Sequence, residues 1–353
     1  MNRKFPFRNL VFKGGGIKAF AYIGAIEILG EMGILRKINR LAGNSAGSIM
    51  ATLLSLRLSV DETIRIFDTL DQSKITPLVD DEETEEGQYT IKAIWEKRDH
   101  LRDGMDAISR LLQNYGLFSS EHVHNWLQEV IASQCHGNGR ATFEDFQELG
   151  FRDLHIVATN VSAHKMMEFS AATTPKVAVA DASVASSSIP LFFEAFQFDG
   201  ECFGQGDYIA DGGILTNYPI NIFDNPNYGR GNQHYSHGIN WETLGCRLYT
   251  PQGCKRRIKP ITNIFYYIQN LIETLSIAED HTFENNLVDQ LRTINISDCC
   301  VDTTEFSIKP GEPKYNELVI AGRIATQQFL EDYKLPTDRI ADIKSELGNF
   351  LKR

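Results

Sequence analysis

Residues 9–58 read NLVFKGGGIKAFAYIGAIEILGEMGILRKINRLAGNSAGSIMATLLSLRL, and this stretch decides the fold. It contains the same pattern twice: a short apolar run, a glycine-rich turn and a longer apolar segment at helical spacing. The first unit predicts a strand at 9–13 and a helix at 17–32, and the second predicts a strand at 38–42 and a helix at 46–58. Two successive strand–turn–helix units predict an α/β protein with a parallel sheet covered by helices.

Strand and helix patterns continue beyond this stretch. Residues 153–160 (DLHIVATN) and 208–210 predict further strands, and we expect the parallel sheet to continue through them. Residues 91–134 carry helical stripes, which predict a helical insertion lying over the sheet. Residues 261–278 (ITNIFYYIQNLIETLSIA) predict an amphipathic helix.

Polar stretches separate these elements without dividing the chain. The acidic run DDEETEEG at 80–87 and the segment 225–238, rich in glycine, asparagine and histidine, predict exposed loops. Because no linker or internal repeat is visible, we expect a single domain over residues 1–353. Its parts are a motif-bearing core at about 8–225, the helical insertion at about 90–135 and a C-terminal extension at about 255–353.

Composition excludes several classes of protein. The 353 residues are 42% apolar and 23% charged, which is typical of a globular chain. The net charge of −11 argues against a generic nucleic-acid binder, because such proteins collect lysine and arginine against phosphates. The sequence lacks an apolar run of about 18 residues, and the N-terminal apolar run is too interrupted for a signal peptide. We therefore expect a cytoplasmic protein.

The cysteines suggest neither a metal site nor a disulfide framework. None of the six forms a CxxC pair, and two are adjacent. We expect free thiols in a reducing compartment, and no bound metal. The six are Cys135, Cys202, Cys246, Cys254, Cys299 and Cys300.

The segment Gly43-Asn44-Ser45-Ala46-Gly47 matches GxSxG, the nucleophile elbow. In such an elbow a serine sits on a sharp turn from strand to helix, and small neighbours permit the strained backbone. The predicted helix that begins at Ala46 would favour negative charge near its N-terminus. Ser45 is therefore a candidate nucleophile, and the alternative is a structural turn serine or helix N-cap.

Gly14, Gly15 and Gly16 follow the first predicted strand. Three residues without a Cβ let their backbone N–H groups approach an anion closely, which predicts an oxyanion hole. Lys18 does not complete a phosphate-binding Walker A motif, because no glycine directly precedes it and no serine or threonine follows it.

A dinucleotide-binding turn is the alternative for the same segment. Gly14, Gly16 and Ala19 satisfy GxGxxG/A between a strand and a helix. The acidic residue that usually ends the second strand of such a unit is missing. Arg36 or Lys37 would suit a 2′-phosphate, so this alternative stays open.

A serine nucleophile needs a base, and the sequence offers two kinds. Asp211, which ends the apolar segment 208–210 and precedes Gly212 and Gly213, would project from the sheet edge, unless it forms an ordinary Asp-Gly turn. Histidine is the usual base, but none of the candidates stands in a recognisable motif. These candidates are His155, His164, His234, His237 and His281.

Three segments, in chain order, resemble the signature blocks of patatin-like phospholipases: GGGIK at 14–18, GNSAG at 43–47 and DGG at 211–213. ASSSIP at 185–190 resembles the small-residue and proline segment before the family's aspartate block, and GILTNYP at 213–219 resembles the stretch after it. The similarity is sharpest across 8–60 and 180–225, and thin beyond about 255.

The resemblance implies a three-layer α/β/α fold with a mainly parallel sheet, and a Ser-Asp dyad that needs no histidine. In this sequence Ser45 would be the nucleophile, Asp211 its base, and the amides of Gly14, Gly15 and Gly16 the oxyanion hole. The supporting positions would be Lys18, Gly43, Gly47, Gly212 and Gly213. Ala19, where the family commonly has glycine, and Gly213, where many members have alanine, are mild departures.

The expected function is hydrolysis of lipid acyl esters, of phospholipase A or lysophospholipase type, through an acyl-enzyme and without a cofactor. The expected partners are a phospholipid or other lipid ester and the membrane surface, and not nucleic acid. An activating partner and export as an effector are left open. The alternatives are a non-catalytic or partner-activated lipid-binding protein on the same fold and, less favoured, a nicotinamide-dinucleotide enzyme.

The predicted helix at 261–278 has two interpretations. Phe265, Tyr266 and Tyr267 cluster on it and would suit docking on a membrane. The helix lacks the basic face that such membrane helices usually carry, so packing inside the protein is favoured.

Overall fold

A computed structural model describes residues 5–75, 109–229, 231–254, 261 and 264–334. The acidic run at 80–87 and the first part of the predicted insertion, 91–108, lie outside the described residues. The strands of the central sheet are β1 (Asn9–Phe12), β2 (Arg40–Asn44), β4 (Asp153–Asn160), β5 (Lys165–Ser170), β7 (Phe196–Phe198), β8 (Asp207–Asp211), β11 (Thr243–Tyr249) and β12 (Thr293–Ser297). Short pairs outside it are β3 (Gly116–Phe118) with β6 (Leu191–Phe193), and β9 (Tyr235–Ser236) with β10 (Ile239–Asn240).

The central sheet is mostly parallel, as predicted. Its order is β12-β11-β1-β2-β4-β8-β7, with β5 on β4, and the first five strands of this order run parallel. The expectation that the parallel sheet continues through 208–210 is wrong, because β8 runs antiparallel to β4. β7 and β8 pair as neighbouring antiparallel strands, a connection that a parallel pair could not make without a long crossover.

Two strands meet end to end along β4. β2 pairs with β4 up to Asn44 opposite Val157, and β8 pairs with it from Asp211 opposite Ala158. β5 pairs with the same part of β4, from His155 to Asn160, so it occupies the other edge. Because β2 and β8 run in opposite directions along one edge, their C-terminal ends converge. The residues that end these two strands are therefore neighbours.

Helices cover both faces of the sheet. They are α1 (Ala21–Glu31), α2 (Ala46–Ser55), α3 (Val60–Phe67), α4 (Glu121–Gln134), α5 (Phe143–Glu148), α6 (Val179–Ser186), α7 (Pro226–Gly229), α8 (Ile264–Glu284), α9 (Leu287–Gln290) and α10 (Pro313–Asp332). Along β1, Leu10 and Phe12 join the large core cluster that also contains residues of α1, α2 and α6. Val11 points the other way, into a smaller cluster with Phe223 and Phe283. The alternation gives three layers, as expected.

Most predicted elements are found close to their expected bounds. The strand predicted at 153–160 is β4 without a shift, and the helix predicted at 261–278 is α8. The segment 225–238, expected to be a loop, instead contains α7 and the strand β9. Among the described residues, no helix is long and apolar enough to cross a bilayer.

The C-terminal part of the chain is built into the same sheet. β11 pairs with β1, and β12 pairs with β11. α10 lies against α1, where Gly24 and Gly322 allow the two backbones to touch: an added Cβ on Gly322 would overlap the carbonyl oxygen of Ala21. The C-terminal part of the chain therefore packs against β1 and α1, which belong to the N-terminal half.

The cysteine prediction is wrong in one respect. Cys254 and Cys300 form a disulfide across 46 residues of sequence. They follow β11 and β12, whose parallel pairing brings the two following loops together. The four others are free thiols, as expected. Spacing did not reveal the pair, because the contact depends on strand order and not on sequence distance.

Candidate active site

Ser45 sits on a strained turn between β2 and α2. Its backbone has φ 52° and ψ −133°, a conformation that costs energy in a residue with a side chain. Gly47 makes room for the turn, because a Cβ there would stand 2.6 Å from the carbonyl oxygen of Lys13 and 2.7 Å from that of Phe12. Gly43 approaches Gly47 closely on the other side. The turn is the elbow that GxSxG predicts.

Asp211 ends β8 directly beside this elbow. Its carboxylate oxygen Oδ1 accepts hydrogen bonds from Asn44 Nδ2 at 3.0 Å and from the backbone N–H of Gly213 at 2.6 Å. Burial raises the pKa of Asp211, and the side chain of Asn44, the amide of Gly213 and the side chain of Ser45 oppose that rise in decreasing order. The charge of Glu279 adds a small rise to the pKa of Asp211. Asp211 is a buried carboxyl within reach of Ser45.

The side chain of Asn44 forms hydrogen bonds across the gap between the C-terminal ends of β2 and β8. Its Nδ2 also donates to Asn217 Oδ1 at 2.9 Å, and its Oδ1 accepts from Ser186 Oγ at 3.2 Å. Asn217 in turn donates to the carbonyl oxygen of Gly14 at 3.4 Å. Gly212 approaches Asn44 so closely that a Cβ would overlap Asn44 Oδ1. The amide of Asn44 therefore connects all three sequence blocks.

The glycine loop after β1 presents free amides to the same site. Among the described residues, the N–H groups of Gly15 and Gly16 have no hydrogen-bond acceptor. Gly14 differs, because its N–H donates to the carbonyl oxygen of Asn217 at 3.0 Å. We therefore narrow the expected oxyanion donors to Gly15 and Gly16.

Lys18 connects the glycine loop to the loop after β12. Its Nζ lies 3.0 Å from Asp298 Oδ2, and both side chains are buried. Thr250 Oγ1 donates to the same carboxylate at 2.6 Å. The N–H of Ile17 donates to the carbonyl oxygen of Thr303 at 3.2 Å. The loop after β12 thus holds the glycine loop in place.

The serine elbow, the buried carboxyl and the glycine loop meet in one cleft. Ser45, Asp211, Gly15 and Gly16 line it. Its apolar walls are Ile189, Pro190, Ile214, Leu248 and Leu275. Its charged and polar lining includes Lys13, Lys18, Asn217, Asp280 and Asp298. No three metal-binding side chains come together anywhere in the described ranges.

The candidate histidines lie elsewhere, and no histidine in the described part of the chain lines the cleft. His155 is buried in β4 with Asp153 and Glu168, at 3.2 and 2.8 Å. Burial lowers its pKa, but the contacts with these two carboxylates outweigh burial and raise the pKa to about 9. His164 and His237 are exposed turn residues, His234 bonds Gln233, and His281 is an exposed neighbour of Glu284.

The dinucleotide alternative does not fit the topology. Arg40, at the start of β2, pairs with Asn9 at the start of β1. Arg36 and Lys37 precede Arg40, so they lie at the end of the sheet where β1 and β2 begin. The glycine loop follows the C-terminal end of β1, at the opposite end of the strands. Neither basic residue can meet a phosphate held by that loop.

Sequence reasoning missed the residues that connect the site. Ser186, Asn217 and Asp298 were not singled out, although the first two fall within segments that resemble family motifs. Their partners lie far away in the sequence: Ser186 is 142 residues from Asn44, and Asn217 is 173 residues from it. Chain order alone could not reveal such pairs.

The sequence profile of the family described as patatin-like phospholipase matches residues 10–224. The chain belongs to this family, and at the level of the family it is a lipid hydrolase.

The chain is also similar to proteins of other organisms and to a solved structure. An uncharacterised protein of Acanthamoeba polyphaga mimivirus is 27% identical over 272 residues, which are 76% of each chain. A protein named probable lipid hydrolase, of Invertebrate iridescent virus 6, is 24% identical over 222 residues, 61% of this chain and 63% of that one. The crystal structure of VipD from Legionella pneumophila shares the fold, with a TM-score of 0.54 and 18% identity over 93% of this chain and 67% of that one.

Proposed function

We propose that this chain hydrolyses fatty acyl esters of lipids, as a phospholipase A or lysophospholipase, through a dyad of Ser45 and Asp211. The observation that carries the proposal is the meeting of a strained serine elbow, a buried carboxyl and two free backbone amides in one cleft. Buried groups with shifted pKa values in a cleft are typical of active sites.

Asp211 acts as the general base in this proposal. Its Oδ1 already accepts two hydrogen bonds, which leaves Oδ2 to take the Ser45 proton. Burial raises its pKa toward the operating pH, and a base is most effective there. As Ser45 Oγ forms its bond to the acyl carbon, the proton passes to Asp211.

The negative charge moves to the former carbonyl oxygen of the substrate. The amides of Gly15 and Gly16 stabilise it, and the N-terminus of α2 adds favourable charge. The ester C–O bond then breaks, and the leaving oxygen takes the proton from Asp211. Water hydrolyses the acyl-enzyme by the same steps with Asp211 again as base.

We also propose that the mouth of the cleft contacts a lipid surface. Leu275 lines the cleft and is 37% exposed, and Tyr267 and Leu271 follow the same face of α8 at spacings of four residues with exposures of 50% and 41%. Leu215, beside the cleft residue Ile214, is 53% exposed. Ile268 of the same helix is buried, so α8 packs inward and presents an apolar stripe outward. The side chains of Phe265 and Tyr266 lie outside the described ones.

Fatty acid release from mixed phospholipid vesicles tests the chemistry. We expect release by the wild type, and a loss of about 100-fold or more in Ser45→Ala and Asp211→Asn. Asp207→Asn, at the exposed start of the same strand, and Ser55→Ala, at the far end of α2, are the matched controls. If the folded wild type binds vesicles and releases nothing, even with cell extract added, the protein is the non-catalytic lipid binder.

Vesicle sedimentation tests the lipid contact. Leu271→Glu places a charge on the exposed stripe of α8 and should weaken vesicle binding several-fold, with hydrolysis of a short soluble ester unchanged. Met32→Glu is the control. Met32 is 53% exposed and follows α1, at the end of the sheet where β2 begins and not at the end where the cleft lies. Equal vesicle binding by the two variants would show that α8 does not contact the lipid surface.

A further inference from the structure

Two serine side chains hold the strained backbone of Ser45: Ser48 Oγ donates to its carbonyl oxygen at 2.7 Å, and Ser186 binds its N–H. The N–H of Ser45 donates to Ser186 Oγ at 2.9 Å, and Ser186 is fully buried as the last residue of α6. This hydrogen bond connects the elbow to a helix that lies 141 residues further along the chain. A strained conformation persists only where its surroundings enforce it, and Ser186 is the part of that restraint that comes from a distant segment of the chain.

The hydroxyl of Ser186 also connects the elbow to the sheet. It lies 2.6 Å from the carbonyl oxygen of Val157 and 3.2 Å from Asn44 Oδ1, and its single proton serves these two acceptors. With Oδ1 of Asn44 directed at Ser186, the Nδ2 of Asn44 is directed at Asp211. Ser186 therefore contacts the oxygen end of the Asn44 amide, and the nitrogen end of the same amide donates to the carboxylate.

The same short segment also holds Asp211. The N–H of Asp211 donates to the carbonyl oxygen of Ser188 at 2.8 Å. The end of α6 and the residues directly after it thus contact the backbones of both Ser45 and Asp211. Neither contact uses a group that would touch a substrate.

We propose that Ser186 is a positioning residue that sets the geometry between Ser45 and Asp211, with the end of α6 acting as a clamp on both. This inference rests on the proposed Ser-Asp chemistry. It predicts that Ser186 affects the chemical step and not the binding of substrate, because Ser186 does not line the cleft.

Three consecutive serines provide the test. The Ser186 hydroxyl contacts Asn44 and the N–H of Ser45. The Ser187 hydroxyl instead donates to Ser183 O at 2.9 Å, and the Ser188 hydroxyl donates to Val184 O at 2.9 Å, both acceptors being carbonyl oxygens of α6. Ser188 is 1% exposed, and Ser188→Ala removes only the hydroxyl and keeps the backbone carbonyl that binds Asp211, so it is a buried control of the same size. Vesicle hydrolysis, labelling by a fluorophosphonate and thermal unfolding would be measured for each alanine variant.

We expect kcat of Ser186→Ala to fall about tenfold or more with KM unchanged, since a buried N–H loses its acceptor. Its labelling rate should fall by a similar factor. Ser187→Ala and Ser188→Ala should stay within about twofold of wild type in both rates. A kcat of Ser186→Ala equal to that of Ser188→Ala, or an effect confined to KM, would overturn the proposal.

Two further variants separate the remaining outcomes. If Ser186→Ala does not fold, Ser186→Cys keeps a side chain of similar size with a weaker hydrogen-bonding group, and an unchanged kcat in that variant contradicts the proposal. Wild type and Ser45→Ala are measured alongside. If wild type is inactive, or Ser45→Ala is active, the proposed function fails and the positioning role fails with it. If both behave as expected, an unaffected Ser186→Ala rejects the positioning role alone.

Discussion

At Asp211 the requirements of chemistry and of stability conflict. A carboxyl whose pKa is raised by burial binds its proton more tightly in the folded protein than in the unfolded chain. The folded state therefore loses stability as pH rises from the unfolded pKa of about 4 through the higher folded value. Ser45 adds a second cost through its strained backbone.

Asp211→Asn should therefore abolish activity and raise stability. The asparagine oxygen can accept the same two hydrogen bonds without a buried charge, so the free energy of unfolding near pH 8 should be higher than that of the wild type. The gain should shrink toward pH 4, where the wild-type carboxyl is protonated in both states. Chemical denaturation at the two pH values measures this. A variant that is less stable than wild type at pH 8 would contradict it.

The charged form of His155 stabilises the fold, whereas the charged form of Asp211 destabilises it. The pKa of His155 is raised to about 9, so its stabilising effect is fully present below the unfolded pKa of about 6.5 and is lost as pH rises through about 9. His155→Gln should cost about 3 kcal/mol of unfolding free energy at pH 6, and much less at pH 10. Fatty acid release at pH 7 by the folded variant should be nearly unchanged. Loss of the chemical step would reopen histidine as the base.

At the scale of elements, the loops after β11 and β12 support the glycine loop. Asp298, which holds Lys18, also accepts a hydrogen bond at 3.0 Å from the N–H of Cys300, and Cys300 is joined to Cys254. The disulfide therefore lies two residues from a contact that positions the proposed oxyanion donors.

Removing this disulfide should lower stability. The double variant Cys254→Ser, Cys300→Ser should lose about 2–4 kcal/mol of unfolding free energy, a typical value for such a crosslink. Thermal unfolding with and without dithiothreitol checks this, with Cys202→Ser as the control because Cys202 is exposed and free. A wild-type melting temperature that does not respond to reductant would show that the crosslink contributes nothing.

Local elements could be predicted, and long-range pairings could not. The serine elbow and glycine loop are encoded by glycines within a few residues, so the sequence located both turns. The strands β11 and β12, at 243–249 and 293–297, were missed, because the C-terminal part of the sequence lacks a motif that marks them. The antiparallel direction of β8 and the Asn44–Ser186 contact depend on how distant segments meet.

At the scale of the whole molecule, we propose that the chain folds as one domain. The family profile ends at residue 224, yet β11 and β12 extend the sheet beside β1, and α10 packs on α1. Removing the C-terminal part would expose β1 and one face of α1. The part of the chain beyond the family match is therefore needed to complete the core.

Gly322→Val tests this arrangement. Its side chain would collide with the carbonyl of Ala21 and force α10 away from α1, which should cost about 3 kcal/mol or more of unfolding free energy. Ile324→Ala, at a 48% exposed position on the same helix, should cost far less. One cooperative transition at a lower temperature is expected for Gly322→Val. A separate early transition with the rest of the chain unaffected would indicate two domains.

The central claim is that Ser45 is a nucleophile activated by Asp211. The most direct measurement is mass spectrometry of peptides after a fluorophosphonate reaction, timed for wild type, Asp211→Asn and the control Asp207→Asn. We predict modification at Ser45 in the wild type and in the control, and labelling slowed by about 100-fold or more in Asp211→Asn. Modification at a different residue, or Ser45 labelled equally fast without the Asp211 carboxylate, would contradict the account.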